Sequence, residues 1–277
     1  LWRLSDEELL TIWRQTRRGM DSTLSFLRTN IGIESSDWIP SLNSLVPLVV
    51  YYGKKKYLYE KEENLLIFWY HSANIWGRYS SSAEAKLDQD LDVLIDKETG
   101  EIKQDAVVNL VKNCRRDVSD LIVDEEELIE PYQRSAFLHL LFAIIRKNRA
   151  KDWFNSIELS ATNVGPDNKI ELHHFFPRSV LKKKGFSREE YDDLSNIVFL
   201  SKRANRDIRT STPFEYIKKY NVDHKRLLEQ HIPINDNLWR IENYNEFIKI
   251  RRKMLTEAMN DYLKMYGEEF MERKNKI

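Results

Sequence analysis

Residues 169–209 read KIELHHFFPRSVLKKKGFSREEYDDLSNIVFLSKRANRDIR. Two adjacent histidines, His173 and His174, are followed by Phe175, Phe176 and Pro177. A polar, lysine-rich segment then leads to Asn196 and the apolar run Ile197-Val198-Phe199-Leu200. The stretch closes on Lys202, Arg203, Asn205, Arg206 and Arg209. This pattern predicts a strand, a loop, a second strand and a short helix. Neighbouring strand side chains point to opposite faces. Pro177 offers no amide to a ladder, so the histidine pair is expected where the backbone leaves regular geometry, with one imidazole on a metal and the other facing a water.

Those residue types suit phosphodiester cleavage, which needs an activated water, a cation on the phosphate oxygens and stabilisation of the leaving oxygen. Histidine near its free pKa is the side chain best suited to act as a neutral base. Asn205 brings an amide oxygen that a hard cation such as Mg²⁺ accepts. Asn196, just ahead of the apolar run, is placed to hydrogen-bond the backbone near the histidines.

The segment resembles the His-Me finger nucleases, also called HNH or ββα-metal nucleases. Its leading pair is His173-His174 with Pro177, its loop asparagine is Asn196, and its helix asparagine, Asn205, follows nine positions later. The wording is most similar to the C-terminal nuclease part of GmrSD-like modification-dependent restriction enzymes. The resemblance implies a metal-dependent DNA endonuclease in a restriction or anti-phage defence protein. It makes His174 the general base, Asn196 the residue that positions it, and His173 and Asn205 the metal ligands. The implied cofactor is a divalent cation, Mg²⁺ first and Mn²⁺ second, and the implied partners are double-stranded DNA and an N-terminal NTP-using, modification-sensing domain. Many relatives carry an acid at the position of His173, and some carry a histidine at that of Arg209. Arg178, Lys202, Arg203, Arg206 and Arg209 are then the candidate DNA contacts, with Lys182, Lys183 and Lys184 close by. The competing reading is a catalytically silent DNA- or protein-binding module that uses the finger as a scaffold.

Outward from this stretch, composition sets bounds. The chain has 277 residues, long enough for two domains. Lysine plus arginine and aspartate plus glutamate both number 44, so DNA binding has to come from a local patch and not from bulk charge. The single Cys114 excludes a disulfide framework and a four-cysteine zinc site. A reducing cytoplasm is the expected location. Leu1-Trp2-Arg3 opens the chain without a methionine, which hints at a fragment of something longer. No apolar run reaches the roughly 18–20 residues of a membrane span. With eight glycines, the chain has no Gly-rich phosphate loop, which argues against an NTP site. Self-association is left open.

The first half predicts helices. Ser5 with Asp6-Glu7-Glu8 starts one; a second covers Ser22 to Asn30 and stops at Gly32. Leu42 to Tyr52 is expected to be kinked or to start late at Pro47. Glu62 to Trp76 reads as a buried helix. Ser82 and Asp105 are expected to cap the next two, and Pro131 to open the helix through Ile145. The connector from Arg78 to Ser82 reads as a polar loop. His71, His139, His224 and His231 read as packed or surface residues. Gly165-Pro166-Asp167-Asn168 marks a turn ahead of the strand. The fold class is therefore mainly α: a helical domain over 1–150, then a nuclease domain over 151–277 with its core at 169–220 and C-terminal bracing helices. Ser187-Arg188-Glu189-Glu190 reads as a capping box within the loop, and Thr212-Pro213 as the start of a following helix.

Overall fold

The computed structural model describes residues 4–33, 35–55, 57–118, 120–129, 135–160 and 167–271. The opening tripeptide Leu1-Trp2-Arg3, Pro131 and the Gly165-Pro166 half of the expected turn lie outside the described residues. The described chain is mainly helical, with one two-stranded antiparallel sheet. It divides into two compact units, Leu1–Ile122 with Leu263–Ile277, and Val123–Tyr262. The boundary expected near Ala150 falls inside the second unit, because α6 (Ala136–Lys147) contributes its apolar face there: Phe142 lies 5.1 Å from Phe199, centroid to centroid.

In the first unit, α1 (Asp6–Phe26) starts on a capping box in which Ser5 Oγ accepts from the Glu8 amide and the Glu8 carboxylate accepts from Ser5. The two helices expected here are one, since nothing between Trp13 and Ser22 breaks it; a π turn, Leu27–Ile31, extends it to Gly32 at φ 86°. Gly19 sits mid-helix because α2 (Leu45–Lys54) crosses there: a Cβ on Gly19 would collide with the Val49 carbonyl. Pro47 lies in the first turn of α2, where a missing amide costs nothing. The helix α3 (Glu60–Ile75) is buried nearly all round.

Ser82 and Asp105 do stand at the N-cap positions immediately before α4 (Ala83–Leu94) and α5 (Ala106–Asp117), yet neither side chain makes the capping bond. The connector before α4 is not a solvated loop throughout, because Arg78 and Tyr79 are buried. Arg78 makes a paired contact to Asp90, Nε to Oδ2 and Nη2 to Oδ1, both 2.7 Å. Asp90 also accepts from Tyr79 and from Asn113, so the buried carboxylate is fully met.

The second unit is built around the sheet. Strand β1 (Ile170–His174) pairs with β2 (Ile197–Ser201), with His173 opposite Val198 and His174 opposite Ile197. Between them lie two short helices, α7 (Arg178–Lys183) and α8 (Arg188–Tyr191); the second starts on the Ser187–Glu190 capping box. Directly after β2 comes α9 (Lys202–Ile208), capped by Ser201. Further on are α10 (Pro213–Lys219), capped by Thr212, then α11 (His224–Leu228) and α12 (Tyr244–Gly267).

Every residue of β2 is buried, on both faces and along its outer edge. An unpaired edge buried without partners would be costly. Here three side chains distant in sequence satisfy it. Gln230 accepts from the Phe199 amide and donates to its carbonyl, both at 2.8 Å. The Asp152 carboxylate accepts from the Ser201 amide at 2.7 Å. Arg251, with no solvent exposure, donates to the carbonyls of Ser195 and Ile197, both at 2.7 Å. Burial pushes the Arg251 pKa down to about 9, which leaves it charged at neutral pH. Around this edge the core is aromatic. Phe175 stacks on Phe247 of α12 at 4.7 Å, so the C-terminal helix braces the end of β1.

Candidate functional site

Beyond β1 the chain turns inward, burying Phe175 and Phe176 completely. That turn is held by Asn196, itself fully buried. Its Oδ1 accepts from the Phe176 amide at 2.8 Å, and its Nδ2 donates to the carbonyls of Phe176 at 3.1 Å and Tyr191 at 2.9 Å. Its backbone carbonyl accepts from the Phe175 amide at 2.7 Å. One asparagine thus ties the strand end that carries the histidines to the end of α8.

The two imidazoles do not share a face. Both belong to the paired strand, which ends at His174, and the pleat sends them apart. Tyr216 Oη donates to the carbonyl of Phe175 at 3.1 Å just past the pair, which fixes where the strand stops.

On one face, His173 is buried, and its Nδ1 lies 2.6 Å from Oδ1 of Asn205 on α9. Asn205 Nδ2 donates to Glu171 Oε2 at 2.7 Å, which orients the amide so that its oxygen meets the imidazole. Burial pushes His173 down to about 4 against the opposing Asn205 hydrogen bond, so the ring is neutral at cellular pH. Its Nε2 is buried and has no hydrogen-bond partner among the described residues.

On the other face, His174 Nε2 lies 2.9 Å from Oδ1 of Asp192, a carboxylate with no solvent exposure. Burial lowers the His174 pKa; the hydrogen bond and charge of Asp192 oppose that, and the charge of Arg178 adds to it. A neutral ring that donates from Nε2 carries its lone pair on Nδ1, the atom then able to take a proton.

Asp192 was not among the expected site residues. In the sequence it stands beside Glu189, Glu190 and Asp193, and no spacing sets it apart from them. Glu171 was also missed, although it precedes His173 by two positions and so shares its face of the strand, a signal that period-2 reasoning offers.

Of the expected DNA contacts, Arg178 is half-exposed and reaches Asp192 Oδ2 at 3.1 Å, its guanidinium 5.3 Å over the Tyr191 ring. Lys202, Arg203, Arg206 and Arg209 are exposed, all on or just after α9. Arg206 lies 3.3 Å from Asp167. Arg209 ends α9 at φ 53°.

Among the described residues, no group of three or more His, Cys, Asp or Glu side chains is arranged to hold a metal ion. A cation would therefore rest on a mixed set, the imidazole of His173 and the amide oxygen of Asn205, with the Glu171 carboxylate beside them. That donor set fits a hard divalent ion that keeps several waters. Ligation through His173 Nδ1 would move its proton to Nε2, the buried atom that lacks a partner.

No family model matches the chain, and no solved structure matches it. An uncharacterised protein of Methanocaldococcus jannaschii is 25% identical over 225 residues, an alignment that covers 69% of this chain and 36% of that protein. The chain thus spans little more than a third of that relative's length. No helix among the described residues is long and apolar enough to cross a membrane.

Proposed function

We propose that the chain is a metal-dependent DNA endonuclease of the His-Me finger type. The observation that carries this reading is the Asp192–His174 contact at the end of a strand whose other histidine meets Asn205. Around it, β1, β2 and α9 follow one another in the order of that finger, with Asn196 opening β2.

In this mechanism Asp192 holds His174 with its proton on Nε2, and Asn196 holds the strand end in place. His174 Nδ1 takes a proton from a water as the water oxygen bonds to phosphorus. The bond from phosphorus to the 3′ oxygen breaks, and that oxygen is protonated from solvent. The chemistry that a divalent cation on His173 and Asn205 supplies is polarisation of the phosphate and stabilisation of the departing oxygen. The exposed cations of α9, with Arg178, bind the DNA backbone. A positioned base contributes about 10²- to 10⁴-fold in rate.

The wider setting, a restriction or anti-phage protein with an NTP-using sensor domain elsewhere in a longer chain, belongs to the same proposal. Incubating the protein with supercoiled plasmid and Mg²⁺ or Mn²⁺, with and without EDTA, tests the reading: chelator-sensitive nicking or linearisation is expected.

Two observations favour a second reading, the catalytically silent DNA- or protein-binding module. The Glu171–Asn205–His173 chain closes on its own hydrogen bonds, and the imidazoles leave opposite faces of β1. That module binds DNA without metal and leaves the plasmid intact.

A further inference from the structure

The face of β1 that carries His174 holds two guanidiniums on a single buried carboxylate. Asp192 gives Oδ1 to His174, while Oδ2 meets Arg178 Nη2 at 3.1 Å and Arg188 Nε at 3.4 Å. The side chain of Asp192 has no exposure, whereas those of Arg178 and Arg188 are 47% and 69% exposed. One negative charge therefore answers two positive ones, two hydrogen bonds away from the imidazole. The neighbouring Glu189 also feels Arg188, but it is exposed and its charge is screened by water. On α9, by contrast, Arg206 has Asp167 as an acidic partner of its own.

We propose that Arg178 and Arg188 form a phosphate clamp that seats the DNA backbone beside His174, with the α9 cations as outer contacts. The clamp rests on the nuclease reading for its place in a reaction, though its binding role stands apart from cleavage. If His174 is the base, the phosphate under attack has to come within reach of its imidazole, and Arg178 and Arg188 are joined to that imidazole through Asp192. A guanidinium presents five N–H donors in a planar fork that matches phosphate oxygens. Each contact to Asp192 uses one of them. The buried carboxylate also holds both side chains in place before any ligand arrives, so less rotamer entropy is lost on binding. Arg188 joins the candidate contacts on this ground alone; in the sequence it was only part of a capping box.

The test is DNA binding by the full chain in EDTA, read as fluorescence anisotropy of a short labelled duplex over a salt series. Arg178→Gln with Arg188→Gln is compared with Lys202→Gln with Arg206→Gln, and thermal melting of each variant checks the fold. Loss of the clamp is expected to weaken binding about tenfold or more and to lower the slope of log K against log salt by about two, close to one per phosphate contact. The α9 pair is expected to lose less. Arg178→Lys with Arg188→Lys keeps the charge and should recover part of the affinity, which a purely structural role for the pair does not require. Should the double Gln variant unfold, Arg188→Gln, at the more exposed position, is read in the same way. Unchanged affinity and slope in folded clamp variants overturns the proposal, as does a larger loss in the α9 pair or a wild type that does not bind DNA. Binding through the clamp without cleavage in Mg²⁺ sinks the nuclease reading alone. Cleavage with clamp-independent binding sinks the clamp alone.

Discussion

His174 Nε2 and Asp192 Oδ1 lie 2.9 Å apart, joining the last residue of β1 to the turn that follows α8. The imidazole is partly accessible and the carboxylate is not, so the pair has one wet end and one dry end. That is the arrangement expected of a base whose tautomer is set from behind.

Replacing Asp192 by Asn puts an amide where the carboxylate was, and the amide NH₂ can donate to Nε2. His174 then carries its proton on Nδ1, the wrong atom for taking one from water. Asp192→Asn is expected to lower kcat roughly 10²-fold or more, and to raise KM as well because Arg178 and Arg188 lose the charge that holds them. Steady-state cleavage of a labelled duplex measures it, and an unchanged kcat would remove Asp192 from the support of the base.

Asn205 should act through the metal. Asn205→Ala removes the amide oxygen that faces His173 and leaves Glu171 Oε2 without its donor. The Mg²⁺ concentration that supports half-maximal cleavage is expected to rise about tenfold or more, in line with other changes around metal ligands. A metal titration identical to that of the wild type would remove Asn205 from the ligand set.

Asn196 is a structural matter first. Asn196→Ala strips the buried Phe176 amide of its acceptor and two carbonyls of a donor. Each buried group left unmet costs about 1–3 kcal/mol. Denaturant melts should show a loss of that order or larger, and a loss below about 0.5 kcal/mol would mean that the strand end does not depend on this side chain.

Acid should weaken the fold through histidines remote from the site. Burial pushes His139 and His231 down to about 4, from an ordinary 6.5. Between those values the unfolded chain binds protons at both positions and the folded chain does not, so stability falls as pH drops from about 6.5 towards 4. Replacing His139 and His231 with Gln should flatten that part of the pH–stability curve; an unaltered slope would place the acid sensitivity elsewhere.

Much of the second unit was legible because its signals are local. Asn196 and Asn205 stand at a fixed interval around an apolar run, and Ser187 with Glu190 and Thr212 with Glu215 spell helix starts that the backbone uses. What escaped is what reaches across the chain. Asp152, Gln230 and Arg251 close the outer edge of β2 from between 30 and 60 residues away, roughly, and no periodicity links them to it. Asp192 was hidden by its company: among four acidic residues in one turn, burial selects Asp192 and Asp193 while Glu189 and Glu190 stay exposed. In the first unit, Gly19 is the place where α2 comes close, a contact that no local pattern in the sequence signals.

The most direct measurement is plasmid cleavage by His174→Ala, purified alongside the wild type and assayed in Mg²⁺ with an EDTA control. The account predicts chelator-sensitive cutting by the wild type, a loss of about 10²-fold or more in the variant, and unchanged duplex binding and melting behaviour. Cutting by His174→Ala at the wild-type rate would contradict it.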